Sequence, residues 1–123
     1  MATVLVVDDQ MDACRALARL LRHFGHDASC TDSGPNALAY LSSNKPDLVI
    51  LDVMMPGMDG LDVLRVIRSD PRLQALPVIL FSALSDPKFR DYAINEGAND
   101  YWIKGAIDFS KLDQHLARYL PPS

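Results

Sequence analysis

A chain of 123 residues, 49% of them hydrophobic, can bury one core, and one domain is expected over residues 1–120 with a short tail at 121–123. A net charge of −4 argues against direct nucleic-acid binding, which needs a basic face. No apolar run approaches the ~18 residues of a membrane span, no basic amino-terminal region opens a targeting signal, and Cys14 and Cys30 lack any CxxC or His-rich spacing, so a soluble, cytoplasmic protein with two reduced thiols and no membrane insertion is expected.

Thr3 to Val7 is β-branched and continuously apolar, the pattern of a central strand, and it runs directly into Asp8-Asp9. From Gln10 to Phe24, residues Cys14, Leu17, Ala18, Leu21 and Phe24 recur at helical spacing opposite Arg15, Arg19 and Arg22, and Gly25 ends the pattern. His26 to Thr31 reads as a less buried strand. Ser33-Gly34-Pro35 then starts a helix carried by Ala37, Leu38 and Leu41. Leu48 to Leu51 is a third strand that stops at Asp52. The turn residues Pro56-Gly57 and Asp59-Gly60 lead into a helix over Leu61 to Arg68, closed by Asp70-Pro71.

After Pro77, Val78 to Phe81 predicts a fourth buried strand ending at Ser82. Asp86-Pro87 caps a helix to Glu96 that halts at Gly97. Asp100 to Ile103 predicts a fifth strand, ending at Lys104. From Asp108, the spacing of Phe109, Leu112, Leu116 and Leu120 predicts a final helix terminated by Pro121-Pro122. Strict alternation with short connections gives an α/β fold: a doubly wound parallel sheet of five strands with helices on both faces.

Asp8-Asp9, Asp52, Ser82 and Lys104 all end strands, so a parallel sheet brings them to one edge, where open α/β sheets bind ligands. Two carboxylates about 4 Å apart repel by about 4 kcal/mol at an effective dielectric of 20, so the cluster requires cations. Lys104 is one. Mg²⁺, a hard ion usually held by one or two carboxylates plus phosphate oxygens, suits the remainder. A carboxylate beside it can attack phosphorus to give an acyl phosphate, with Lys104 and the Ser82 hydroxyl contacting the phosphoryl oxygens.

At these residues the sequence resembles the response-regulator receiver domains of two-component signalling. The likeness rests on the acidic pair, on Asp52 followed by Met54-Met55-Pro56-Gly57-Met58-Asp59-Gly60, on Ser82-Ala83, and on Tyr101 through Lys104, and it covers essentially the whole chain. It implies a flavodoxin-like sheet of order 2-1-3-4-5. It implies also that Asp52 accepts a phosphoryl group from a histidine kinase or histidine phosphotransfer domain, that Asp8, Asp9, Asp52 and the Met54 backbone carbonyl hold Mg²⁺, that Ser82 and Tyr101 form a switch pair, and that Lys104 contacts the phosphoryl group. Phosphorylation would then alter the surface of the Asp86–Glu96 helix, the Tyr101 strand and the Asp108–Tyr119 helix, and so control binding of an output protein whose identity the sequence does not carry.

Each residue also has a plainer reading: Asp8 and Asp9 as helix caps, Ser82 as a turn residue, Tyr101 and Trp102 as core, and Met54, Met55 and Met58 as loop packing. His23, His26 and His115 lie apart and read as surface or packing residues. The expected activity is a regulatory phosphoacceptor, stand-alone or part of a longer protein, with only self-catalysed phosphotransfer and autodephosphorylation. Alternatives are a relay intermediate, an Mg²⁺-dependent phosphatase, whose DxD pattern Met54 interrupts, and a flavodoxin-like redox protein, whose anion-accepting first loop Asp8-Asp9 replaces. The chain departs from the family it resembles at Gly105, where proline usually follows the lysine. A cis Lys-Gly bond would cost about 2.5–4 kcal/mol, so a trans bond is expected, with Gly105 in a conformation other residues avoid.

Overall fold

The computed structural model describes residues 2–121. Strands β1 (Thr3–Val7), β2 (Asp27–Thr31), β3 (Leu48–Leu51), β4 (Val78–Ser82) and β5 (Asp100–Ile103) alternate with helices α1 (Met11–His23), α2 (Gly34–Ser43), α3 (Gly60–Ser69), α4 (Pro87–Asn95) and α5 (Leu112–Leu116). All pairings are parallel and the order is β2-β1-β3-β4-β5. The apolar runs of β1 and β3 are central because both of their faces are covered. Leu5, Val7, Val49, Leu51, Val78 and Leu80 face the core beneath α2, α3 and α4. The alternate residues Val4, Val6, Leu48, Ile50 and Ile79 face α1 and α5.

The expected helix starts are present. Ser33 caps α2 by accepting from the Asn36 amide, Asp59 and Asp62 cap α3 reciprocally, and Asp86 accepts from the Lys88 amide at α4. These caps fix the loops on the carboxyl edge of the sheet. β2 and β3 flank β1, so the chain reverses its winding direction there and leaves a crevice beyond the ends of β1 and β3.

The final helix differs from its sequence pattern. Asp108 accepts from both the amide and the hydroxyl of Ser110, at 3.0 and 2.6 Å, and this holds Phe109–Lys111 as a 3-10 turn before the five-residue α5. Beyond Leu116 the bonding tightens: Tyr119 donates to the carbonyl three residues back at 2.9 Å, and Leu120, which precedes a proline, is disfavoured from helix. Phe109, one of the apolar residues whose spacing predicts the helix, is 41% exposed. The helix ends at Leu116, short of the expected stop at Pro121-Pro122, and Pro122 lies outside the described residues. No peptide bond is cis among the described residues, and Gly105 has φ +84°, the left-handed conformation expected for the position after Lys104.

Candidate phosphoacceptor and metal site

Three carboxylates meet at the crevice. One oxygen from each of Asp8, Asp9 and Asp52 lies within 4.8 Å of the others. Asp8 and Asp52 are buried and Asp9 is exposed, so two charges are fixed by the fold and the third faces solvent. Lys104 at the end of β5 reaches across β4 to Asp52 and past β3 to Asp8, 2.8 Å from Asp8 Oδ2 and 3.4 Å from Asp52 Oδ2. The remaining oxygens are held by the turns that follow the strands: the Gln10 amide donates to Asp8 Oδ1 at 2.9 Å, and the Met54 amide to Asp52 Oδ1 at 3.2 Å. The Lys104 ammonium also stands 5.7 Å from the centre of the Phe81 ring, within cation–π range.

This charge balance perturbs the site. Burial raises the Asp52 pKa above the ordinary carboxylate range, Lys104 opposes the rise, and the Asp8 charge adds to it. Burial alone would lower the Lys104 pKa, but its hydrogen bond to Asp8 and the charges of Asp52 and Asp8 outweigh that effect and raise it, so Lys104 is cationic. One lysine against three carboxylates leaves an excess negative charge. With hard oxygen donors and solvent on the Asp9 side, the residues fit a divalent cation such as Mg²⁺.

Packing brings the chain close behind Asp52. Gly60 opens α3 so near that a Cβ there would clash with the Asp52 carbonyl oxygen, and its amide donates to Val53 at 3.0 Å. Glycine at 60 is therefore a condition of the Asp52 loop's path.

Ser82 and Tyr101, singled out as a pair, are linked through a residue with no such signal in the sequence. Ser82, fully buried, accepts from the Leu84 amide at 3.1 Å. The Tyr101 hydroxyl, drawn inside with its ring 5% exposed, donates to the Leu84 carbonyl at 2.8 Å. Burial raises the Tyr101 pKa, which keeps this hydroxyl a donor. Leu84 acts here through its peptide groups alone, so no side-chain pattern marks it. Phe81 was legible only as a strand residue, because its place beneath Lys104 depends on the pairing of β4 with β5. The Met54 side chain is 55% exposed. His23 is exposed, and His115 packs against the buried Trp102.

A cleft of about 380 Å³ descends from this edge between α1 and the 3-10 turn, walled by Ala13, Ala16, Leu17, Phe81 and Phe109. It gives the acidic site one apolar approach.

A doubly wound parallel sheet whose winding reversal carries buried carboxylates and a bridging lysine defines a flavodoxin-like domain with an acidic site that fits a cation. The family model for the response regulator receiver domain matches residues 4–117, and the chain belongs to that family. The response regulator PleD of Caulobacter vibrioides is 40% identical over 107 residues, covering 87% of this chain and 24% of PleD. The receiver domain of a signal transduction histidine kinase from Syntrophus aciditrophicus superposes with TM-score 0.87 at 33% identity, covering 98% of this chain and 90% of that one. Chemotaxis protein CheY4 of Vibrio cholerae superposes with TM-score 0.89 at 26% identity, over 98% and 99% of the two chains. This chain spans less than half the length of the curated relatives it matches. Receiver domains are regulatory, and they generally bind Mg²⁺ at an acidic site of this kind.

Proposed function

We propose that Asp52 is the phosphoacceptor of a signalling switch and that its donor is a phosphohistidine of a sensor kinase or histidine phosphotransfer domain. The observation that carries this reading is the pair of buried carboxylates bridged by Lys104 at the winding reversal, with Asp9 beside them. An Asp52 carboxylate oxygen attacks phosphorus, the P–N bond of the donor breaks, and the imidazole nitrogen keeps the electron pair and takes a proton. Asp8, Asp9, Asp52 and the Met54 carbonyl would hold Mg²⁺, which when bound neutralises charge on the phosphoryl oxygens. Lys104 faces the same group and offsets the charge left on the product. The apolar cleft beside α1 is the face on which the donor protein seats, and the domain works in the cytoplasm.

A phosphoryl group adds about −1.5 to −2 charges at neutral pH. The Ser82 hydroxyl accepts from Leu84, so its proton remains to donate to a phosphoryl oxygen. Movement of Ser82 toward that oxygen pulls on the Leu84 amide, and the Leu84 carbonyl passes the displacement to the Tyr101 hydroxyl. The surface formed by α4, β5 and α5 is thereby the output face. Mass spectrometry after acetyl phosphate treatment tests the reading: one added phosphoryl group is expected, absent with EDTA and absent in Asp52→Asn. Equal labelling of Asp52→Asn would overturn it. Amide NMR with the beryllofluoride mimic tests the switch, and shifts confined to the Asp52 loop would refute it.

A further inference from the structure

Both carboxylates that hold the Lys104 ammonium, Asp8 at 2.8 Å and Asp52 at 3.4 Å, belong to the set that fits a divalent cation. Once Asp8 shares its charge with that cation and Asp52 carries a phosphoryl group, neither ion pair keeps its full attraction. The chain around Lys104 adds little restraint. Its amide donates to the Ser82 carbonyl at 2.8 Å, but its side chain is 25% exposed, and Gly105 after it turns at φ +84° with no atom within 4 Å of where a Cβ would stand. An ammonium on a flexible stem can swing into solvent from such a place.

The third neighbour of the ammonium is of a different kind. Lys104 Nζ lies over the Phe81 ring, 5.7 Å from its centre. An aromatic face carries negative charge density but neither ionises nor binds a hard cation, so its attraction does not depend on the state of the carboxylates. The ring is itself fixed. Phe81 pairs with Trp102 in the β4–β5 register, packs on the α1 and α5 side of the sheet, and meets Trp102 and Phe109 edge-to-face with centres 6.3 and 6.2 Å apart. Phe81 also precedes Ser82, so one strand end supplies both the hydroxyl and the ring.

From this we infer that Phe81 is a positioning residue for phosphoryl transfer: its ring keeps the Lys104 ammonium at the Asp52 site when the ion pairs with Asp8 and Asp52 have weakened. The inference rests on the phosphoacceptor reading above and adds to it a residue that acts only through Lys104. An ammonium already in place costs no reorganisation as charge develops on the phosphoryl oxygens. A space-filling role at this strand end asks only for bulk, whereas this role asks for an electron-rich face.

The test replaces Phe81 in the full chain with mono-, di- and trifluorinated phenylalanine, which keep the shape of the ring while draining its negative face stepwise. At saturating Mg²⁺ the rate of Asp52 labelling by acetyl phosphate is expected to fall with each fluorine, to about threefold to tenfold slower in the trifluoro protein. In a Lys104→Met background the same series should be flat, because no cation is left for the ring to hold. A second measurement needs no turnover. By proton NMR the Lys104 ε-methylene should resonate upfield of ordinary lysine in the metal-free protein, stay there when Mg²⁺ and beryllofluoride are added, and return to the ordinary position in Phe81→Leu. A labelling rate indifferent to fluorine, a decline that persists without the Lys104 ammonium, or an upfield shift that disappears on adding Mg²⁺ and beryllofluoride overturns the inference. The two readings fail separately. Unsubstituted protein unlabelled at Asp52 overturns the phosphoacceptor reading, while the proton shift still decides whether Phe81 holds Lys104. Labelling that ignores fluorine removes the role of Phe81 and leaves Asp52 the acceptor.

Discussion

At the acidic edge, Asp8 and Asp52 are 5% and 6% exposed, three of their four carboxylate oxygens accept a hydrogen bond from the protein, and the fourth, Asp52 Oδ2, stands 3.4 Å from the Lys104 ammonium. On the face formed by α4, β5 and α5, α4 buries only Ala93 and α5 only Leu112 and Leu116, whereas α1 buries four residues and α3 five. The same sheet supports a site whose atoms are fixed and a surface whose helices are lightly anchored. Phosphoryl transfer needs reacting groups held in place before the donor arrives. A binding surface that changes state needs two arrangements separated by a few kcal/mol, and thin anchoring supplies that.

Truncating a fully buried leucine on each side gives the sharpest contrast. Leu21→Ala in α1 should cost about 3 kcal/mol or more by urea unfolding, since it leaves a cavity in a helix tied to β1 and β2. Leu116→Ala should cost at least about 1 kcal/mol less, because α5 can detach while the rest stays folded, and hydrogen exchange should then show α5 amides opening first. Equal costs with uniform exchange would erase the distinction between the two regions.

Adding Mg²⁺ should stabilise the acidic edge by about 2.7 kcal/mol at a hundredfold excess over its Kd, read as a rise in the urea midpoint that EDTA reverses and Asp8→Asn diminishes. A midpoint indifferent to Mg²⁺ would mean that the carboxylates are balanced by Lys104 alone.

A smaller effect concerns the charge of Asp52 in metal-free protein. Its folded pKa is raised by burial, so the folded state holds the proton more tightly than the unfolded chain does. Ionisation therefore destabilises the fold, with a penalty that begins as pH passes the unfolded value and is complete above the folded one. Asp52→Asn should accordingly stabilise the metal-free protein at pH 7 by about 1 kcal/mol, or about 3–6 °C in Tm, with the gain vanishing below about pH 3. A gain that persists in acid would assign it to something other than charge.

The smallest effect lies on the other face. Tyr101→Phe removes one hydrogen bond and should cost about 0.5–1.5 kcal/mol in stability while leaving the rate of Asp52 labelling by acetyl phosphate unchanged. A marked change in labelling would show that the two regions are coupled in the chemistry as well as in the switch.

Strand ends were the most legible feature of the sequence, because an apolar run that stops at Asp8, Asp52, Ser82 or Lys104 places that residue on the sheet edge whatever the helices do. Their convergence followed from parallel topology. The length of the last helix did not follow: Phe109, Leu112, Leu116 and Leu120 keep helical spacing, yet the Asp108–Ser110 bonds tighten the first turn and the Tyr119 hydroxyl is drawn to Asp100. Periodicity reports which residues face inward and is silent on competing side-chain bonds. Leu84 was illegible for a different reason, since it takes part through backbone atoms that every residue shares.

That last property has an evolutionary consequence. Because the Ser82–Leu84–Tyr101 link uses an amide and a carbonyl, it is indifferent to the side chain at position 84, and any residue other than proline, which lacks the N–H, can preserve it. The loop after β4 is therefore free to drift in sequence, changing the part-buried surface it presents near α4 without rewriting the connection that drives it. Diversification of partners and retention of the signal are, at this position, written in different atoms.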